Sequence, residues 1–182
     1  MLFSISMMNI GDNYAYDLPQ AYQTPLRDQY GISTSGTQLL YSVYSLPNTF
    51  MPIIGGIIIS KYGDRVAVLL FSMTLLIGNI IFSFGIWGNN YSLMILGRLI
   101  GGIGGENMIT VQMVCVEKWF SDTYLSLALG ICFVMSYSGT MCNSFFTPLM
   151  IESLGSIFHT QFCIMLIVSY SQIFCYFYVV AD

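Results

Sequence analysis

Apolar side chains run through this chain in six long blocks separated by short polar connectors. The blocks cover Met1 to Thr24, Gln38 to Ser60, Val66 to Ile86, Ser92 to Val116, Tyr124 to Met150 and Ile157 to Val180. A helix needs about 20 residues to cross the hydrocarbon core of a bilayer, and each block is long enough. The first is the least apolar, because Asp12 and Asp17 lie inside it. It has neither the basic leader nor the small-residue cleavage site of a secretory signal, so it reads as a span. The expected architecture is an all-α membrane protein, a six-helix bundle over residues 1–182 with no soluble domain.

Within the blocks, polar residues recur at steps of three and four, the spacing of one helix face. The first carries Asn13, Asp17, Gln20 and Thr24. The second carries Thr37, Tyr41, Tyr44, Ser45 and Asn48, and the fifth Ser136, Thr140, Asn143 and Thr147 with Tyr137 beside them. Weaker sets are Ser72, Asn79 and Ser83 in the third and Ser169, Ser171 and Gln172 in the sixth. Such stripes serve either as hydrogen-bonding glue between helices or as the wall of a water-filled cavity. Single polar contacts in membranes average only about 0.6 kcal/mol. Runs of several residues that include an acid therefore favour the cavity.

Composition agrees with the pattern. Apolar residues make up 55% of 182, charged residues 8%, and the mean hydropathy is +0.71. A soluble domain carries about 25% charge, so neither a soluble globule nor a disordered chain fits. Five basic residues and a net charge of −4 leave no surface for nucleic acid. Lys61, Arg65 and Lys118 lie in connectors of one side and Arg27 on the other, which places both termini in the cytoplasm by the positive-inside rule.

The fourth block holds the clearest intramembrane charges, Arg98 and Glu106. An acid at the middle of a span costs about 2.5–3.5 kcal/mol on insertion scales. Low dielectric disfavours its ionised form, which suits proton carriage or capture of an ammonium group. The alternative is a structural partner for a neighbouring helix. Arg98 is a poor partner within the helix, since eight residues separate the two by about 80° and roughly 12 Å. It lies nearer the non-cytoplasmic end, where it is expected to snorkel. Gly97, Gly101 and Gly105, with Gly102 and Gly104 between them, suit close backbone packing. They do not form a nucleotide loop, because no strand precedes them and no Lys–Ser pair follows. The five cysteines lack metal-ligand spacing, so no metal and no cofactor are expected. His159, the single histidine, reads as an interfacial side chain or a pH sensor.

Several of these pieces together carry a resemblance. They are Tyr16–Asp17, Pro19 and Gln23–Thr24; Leu39–Leu40–Tyr41, Tyr44–Ser45 and Pro47–Asn48; Gly97–Arg98, Gly101 and Ile103 to Glu106; Trp119–Phe120; and Gly130, Gly139 and Asn143. In order and spacing, the chain resembles the N-terminal half of a major facilitator superfamily transporter. It is most similar to a lysosomal branch, the domain-containing protein one group of dipeptide transporters. The resemblance implies a twelve-helix fold of which this chain is half, a fragment or a short form, completed by a C-terminal six-helix half. It also implies a small-molecule substrate, dipeptides or amino acids, with protons as the candidate coupling ion. An accessory glycoprotein and a lysosomal membrane follow from it too, with the plasma membrane as the alternative location.

Two departures stand out. The superfamily loop after the second span has Gly, three residues and Asp, whereas Ser60 stands at that place after Gly56; Lys61, Gly63 and Arg65 are kept. The dipeptide carriers are expected to have Arg where Tyr137 falls, so this half lacks that cation for a peptide carboxylate.

The expected function is transport by alternating access, without covalent chemistry. Glu106 would hold an ammonium group or a proton, and Tyr41, Tyr44, Asn143, Asp17 and Tyr137 would line the route. Arg98, Gly97, Gly101 and Gly105, with Lys61 and Arg65 at the cytoplasmic connector, would serve structure and gating. The rival is a non-transporting membrane module that binds a partner. A channel is disfavoured, because no re-entrant filter segment lies between two spans.

Overall fold

The computed structural model describes residues 1–181, without the side chain of Asp122. The last four expected spans are continuous or nearly so. They form α7 (Asp64–Trp87), α8 (Tyr91–Trp119), α9 (Asp122–Leu154) and α10 (Ile157–Ala181). The second is interrupted: α5 (Thr34–Ser45) passes through a 3₁₀ turn (Leu46–Thr49) into α6 (Met51–Tyr62), with a bend of 49°. The first is four short helices, α1 (Leu2–Met7), α2 (Ile10–Tyr16), α3 (Leu18–Ala21) and α4 (Gln23–Tyr30).

Prolines account for much of this. Pro47 and Pro52 have no N–H, so the carbonyls of Val43 and Asn48 lose their helical partners and the rod bends. Pro19 and Pro25 act likewise on Ala15 and Ala21 in the first segment. Side-chain caps mark other starts. Ser33 Oγ accepts the Gly36 N–H at 3.2 Å, and Asn90 Oδ1 accepts the Leu93 N–H at 3.2 Å.

The expectation of six crossings is met in part. Among the described residues, four helices are long and apolar enough to cross a bilayer, and the bent pair α5–α6 makes a fifth if counted as one. The first segment still travels from one end of the bundle to the other. Ile5 and Met8 pack in an apolar cluster with Val116 and Tyr178, whereas Leu18, Tyr22 and Leu26 pack in a second with Ile86, Met94 and Ile157.

Arg98 corrects a second expectation. It does not reach for the bundle's end but is 2% exposed inside it. Nη1 donates to the Ala15 carbonyl at 2.8 Å and Nη2 to the Tyr16 carbonyl at 2.5 Å. These oxygens belong to the place where α2 stops. The Pro19 ring removes one helical donor, and the Gln20 N–H turns instead to the Asp17 carbonyl at 3.2 Å. The guanidinium fork thus donates to both carbonyls at the break, and the Asp17 N–H also turns to that of Ala15. Its carbon lies 4.6 Å from the Tyr44 ring centroid and 5.6 Å from that of Phe82, a cation–π seat for a buried charge.

The glycines of α8 divide between two neighbours. A Cβ at Gly97 would strike the backbone of Phe82 and Gly78, and one at Gly104 the backbone of Leu75 and Phe71, all on α7. From the other side, a Cβ at Gly78 would lie 2.5 Å from the Gly101 Cα. Gly102 and Gly105 instead admit Tyr44 of α5, whose backbone or hydroxyl a side chain there would hit. At the basic end, Lys118 Nζ lies 3.1 Å from Asp64 Oδ2, and the Tyr178 hydroxyl donates to the same carboxylate. Lys61 and Arg65 are exposed beside it, Lys61 with its amine 5.3 Å from the Tyr62 ring centroid.

Overpacking a close contact costs about 1–3 kcal/mol. Gly78→Leu is expected to lower the melting temperature of the detergent-solubilised protein by several degrees. Gly130→Leu, where a Cβ meets nothing within 4 Å, should leave it unchanged. Arg98→Met takes the guanidinium donors from two carbonyls at the break, and a buried group left unsatisfied costs about 1–3 kcal/mol. It is expected to melt well below the wild type, whereas the exposed Lys61→Met is not. Equal melting of these two variants would contradict the role given to Arg98.

Candidate functional site

The break at Asp17 sets the geometry of the polar interior. A helix that stops and restarts turns the side chains around the break toward space that a straight rod would fill. Asp17 lines three adjoining voids of about 340, 460 and 390 Å³.

The first void lies among the first segment, α5 and its 3₁₀ turn, α8 and α9. Asp12, Asn13 and Tyr16 come from α2, Tyr44 from α5, and Asn48 from the turn. Glu106 projects from α8, and Tyr137 and Thr140 face it from α9. Asp12 is 4% exposed, and the Tyr44 hydroxyl donates to its Oδ1 at 2.5 Å. Gly105 makes room for this pair, since a Cβ there would strike both the Tyr44 hydroxyl and Asp12 Oδ1. Glu106 is half-buried and bonds to no protein group among the described residues. Tyr137 is 61% exposed on the far wall.

The second void opens between the first segment and the outer half of α9. Gln20 and Thr24 line one side, and Asn143, Pro148 and Glu152 the other. Asn143 is buried and its carbonyl oxygen accepts from Thr147 at 2.5 Å. Thr147 in turn meets the Tyr14 hydroxyl at 2.9 Å. This chain fixes the amide so that its oxygen is committed. The third void is lined by Tyr16, Gln23, Thr37, Gln38 and Tyr41. The Tyr41 hydroxyl donates to the Asp17 carbonyl and accepts the Gln20 N–H, both at 3.2 Å, so it too braces the break.

The residues singled out in the sequence are thus distributed unevenly. Asp17, Tyr44, Glu106 and Tyr137 share the first void, while Tyr41 and Asn143 wall its neighbours. Arg98 lines none of the three and lies behind Tyr44. Gly97 and Gly101 meet α7 and the Tyr44 ring, and Lys61 and Arg65 stand away at the basic end. The polar stripe of α9 is divided: Ser136 bonds to Gln112 at 3.4 Å and Thr147 packs on Tyr14, while Tyr137 and Thr140 face the void. Of the sets on α7 and α10, only Ser83 bonds across helices, while Ser72, Asn79 and Ser171 bond within their own helix and the Gln172 amide is buried without a partner among the described residues. Ser83 accepts from Gln161 at 3.1 Å and donates to the Asn79 carbonyl at 2.8 Å, and Ser171 bonds to the Val168 carbonyl at 2.8 Å.

Asp12 and Tyr16 are the wall residues that periodicity alone passes over. Asp12 sits one step off the Asn13–Asp17 line, yet lines the same void as its neighbour Asn13. Its signal is chemical: an acid inside an apolar span is a functional candidate in its own right.

Comparison with known proteins gives this geometry its context. The sequence pattern of the Major Facilitator Superfamily matches residues 2–181. The lysosomal dipeptide transporter MFSD1 of Danio rerio is 31% identical over 144 residues, covering 79% of this chain and 31% of the relative. The protein of that name from Mus musculus is 33% identical over 144 residues, with the same shares. That of Bos taurus is 31% identical over 173 residues, 92% of this chain and 37% of the relative. The chain spans roughly a third of the length of these relatives, 31% in one case and 37% in another. With apolar helices long enough to cross a bilayer and a family pattern running from residue 2 to 181, the chain is a multi-pass membrane protein that belongs to the Major Facilitator Superfamily.

Proposed function

We propose that this chain supplies one six-helix half, residues 1–182, of a secondary transporter. It moves a small organic solute, dipeptides or amino acids, by alternating access, and a second six-helix half closes over the voids. The observation that carries this reading is the convergence of polar side chains from the first segment, α5, α8 and α9 on one void. The outward faces of α7 and α10 are apolar, with Met73, Ile77, Leu166 and Ile173 exposed. A bundle meant only to pack would gain little from leaving acids beside open space.

Glu106 holds a substrate ammonium group or a proton. Asp17, Tyr44 and Tyr137 line the main route, and Tyr41 and Asn143 its flanks. Arg98 with Gly97, Gly101 and Gly105 keeps the helices that shape the route in register. Lys61 and Arg65 lie on the cytoplasmic face, where they meet the second half during closure. The curated relatives are named as lysosomal dipeptide transporters, which supports a lysosomal membrane and a peptide substrate for this chain as well. An accessory glycoprotein is a further partner in this reading, on the family resemblance alone.

Glu106→Gln keeps the shape of the side chain and removes its charge. In the full-length carrier that contains this chain, uptake of a labelled dipeptide is expected to fall to background while expression is kept. Wild-type uptake by that variant would rule out the role of Glu106.

A further inference from the structure

Three positions on α8 fall at seven-residue steps, Arg98, Gly105 and Gln112. Seven residues make nearly two helical turns, so the three stand in one row, about 10.5 Å apart. The row meets α2 in the opposite chain direction. Arg98 takes the carbonyls of Ala15 and Tyr16, Gly105 leaves room for Asp12, and Gln112 takes Asn9.

Gln112 is buried and reaches the first break of the segment, between α1 and α2. Its Nε2 donates to the Ile5 carbonyl at 2.7 Å. Its Oε1 accepts from Asn9 Nδ2 at 3.0 Å and from Ser136 Oγ at 3.4 Å. One amide thus ties the end of α1, the start of α2 and a point on α9 to α8. The Asn9 Oδ1 is buried with no partner, so among the described residues Gln112 alone bonds to the Asn9 side chain.

Gln112 lines none of the three voids, yet it bears on the first. Asn13, in that void's wall, donates from Nδ2 to the Asn9 carbonyl at 3.0 Å. The wall residues Asp12, Asn13 and Tyr16 all sit on α2, between the anchors at Gln112 and Arg98. Elsewhere α2 touches its neighbours through bare backbone. A Cβ at Gly139 of α9 would strike the Ile10 carbonyl, and one at Gly11 would strike Ser171 of α10. Such close, non-directional contacts let packed helices slide a little along each other. The register of α2 therefore falls to the polar anchors at its two ends.

We propose that Gln112 is a positioning residue for the void. By holding Asn9 and the Ile5 carbonyl it sets the height of α2 along α8, and with it the places of Asp12, Asn13 and Tyr16 opposite Glu106. A binding wall loses affinity when it stands about 1 Å out of place, even where the fold is kept. The inference rests on the carrier reading above and adds to it a residue outside the cavity.

The test measures uptake of labelled alanyl-alanine by the full-length carrier that contains this chain, with the melting temperature of each variant. Gln112→Leu is expected to raise KM about tenfold and to leave kcat within about twofold, the pattern of lost binding and not of lost turnover. Gln161→Leu is the matched control. Gln161 is also a buried amide that joins helices, through Tyr22 and Ser83, and it lines none of the three voids. Its loss is expected to lower the melting temperature as Gln112→Leu does and to keep the wild-type KM. Asn9→Leu combined with Gln112→Leu removes both partners, which costs little stability when the shapes match. The double variant is expected to regain melting temperature and to keep the raised KM, and it carries the comparison if the single variant does not express. A wild-type KM in Gln112→Leu or in the double variant would overturn the inference and leave the carrier reading standing. An equal rise of KM in Gln161→Leu would do the same. A wild-type carrier that takes up no dipeptide would overturn both.

Discussion

Two hydrogen bonds from one guanidinium hold the interior of this protein in shape. In hydrocarbon no water satisfies a freed backbone carbonyl, so a helix breaks inside a bilayer only where protein supplies a donor or a water-filled cavity lies alongside. Arg98 supplies two, to Ala15 and Tyr16, and its planar fork matches adjacent carbonyls better than a lysine amine would. The tyrosine and phenylalanine faces around it soften the cost of burying its charge. Because the break is stable, Asp17 leaves the helix line and reaches three voids at once.

The floor of the site depends on small residues in the same way. Gly102 and Gly105 let α5 lie against α8, which brings Tyr44 over Arg98 and its hydroxyl to Asp12. On the opposite side of α8, Gly97 and Gly104 bring α7 to backbone contact and make a rigid pair. A single glycine-rich helix thus anchors the bundle with one face and shapes the void with another. Chemistry and packing are inseparable along this segment, since Glu106 follows directly on Gly105.

Much of the helical layout was legible in the sequence, because blocks of apolar residues with polar connectors have few other solutions. The last four helices lie close to their expected bounds. The first segment keeps its end-to-end course but not its continuity, since hydropathy counts residues and does not show how far breaks at Pro19 and Pro25 divide a rod. Arg98 was misplaced for a related reason: its partners are main-chain oxygens exposed by that break, and no side-chain pattern announces them. Asp12 was visible as an acid, but its pairing with Tyr44 spans 32 positions and depends on a missing Cβ at Gly105. The polar stripe of α9 looked uniform at helical spacing, although Ser136 and Thr147 face neighbours and Tyr137 and Thr140 face open space.

The central claim is that the polar faces of the first segment, α8 and α9 surround water and not lipid. Single cysteines in a cysteine-free background, challenged in intact membranes with a charged, membrane-impermeant thiol reagent, test it directly. Asn13→Cys, Tyr137→Cys and Thr140→Cys should react readily, while Ile77→Cys and Leu166→Cys on the outward faces of α7 and α10 should stay unmodified. Protection of the first three together with modification of the last two would contradict a hydrated interior.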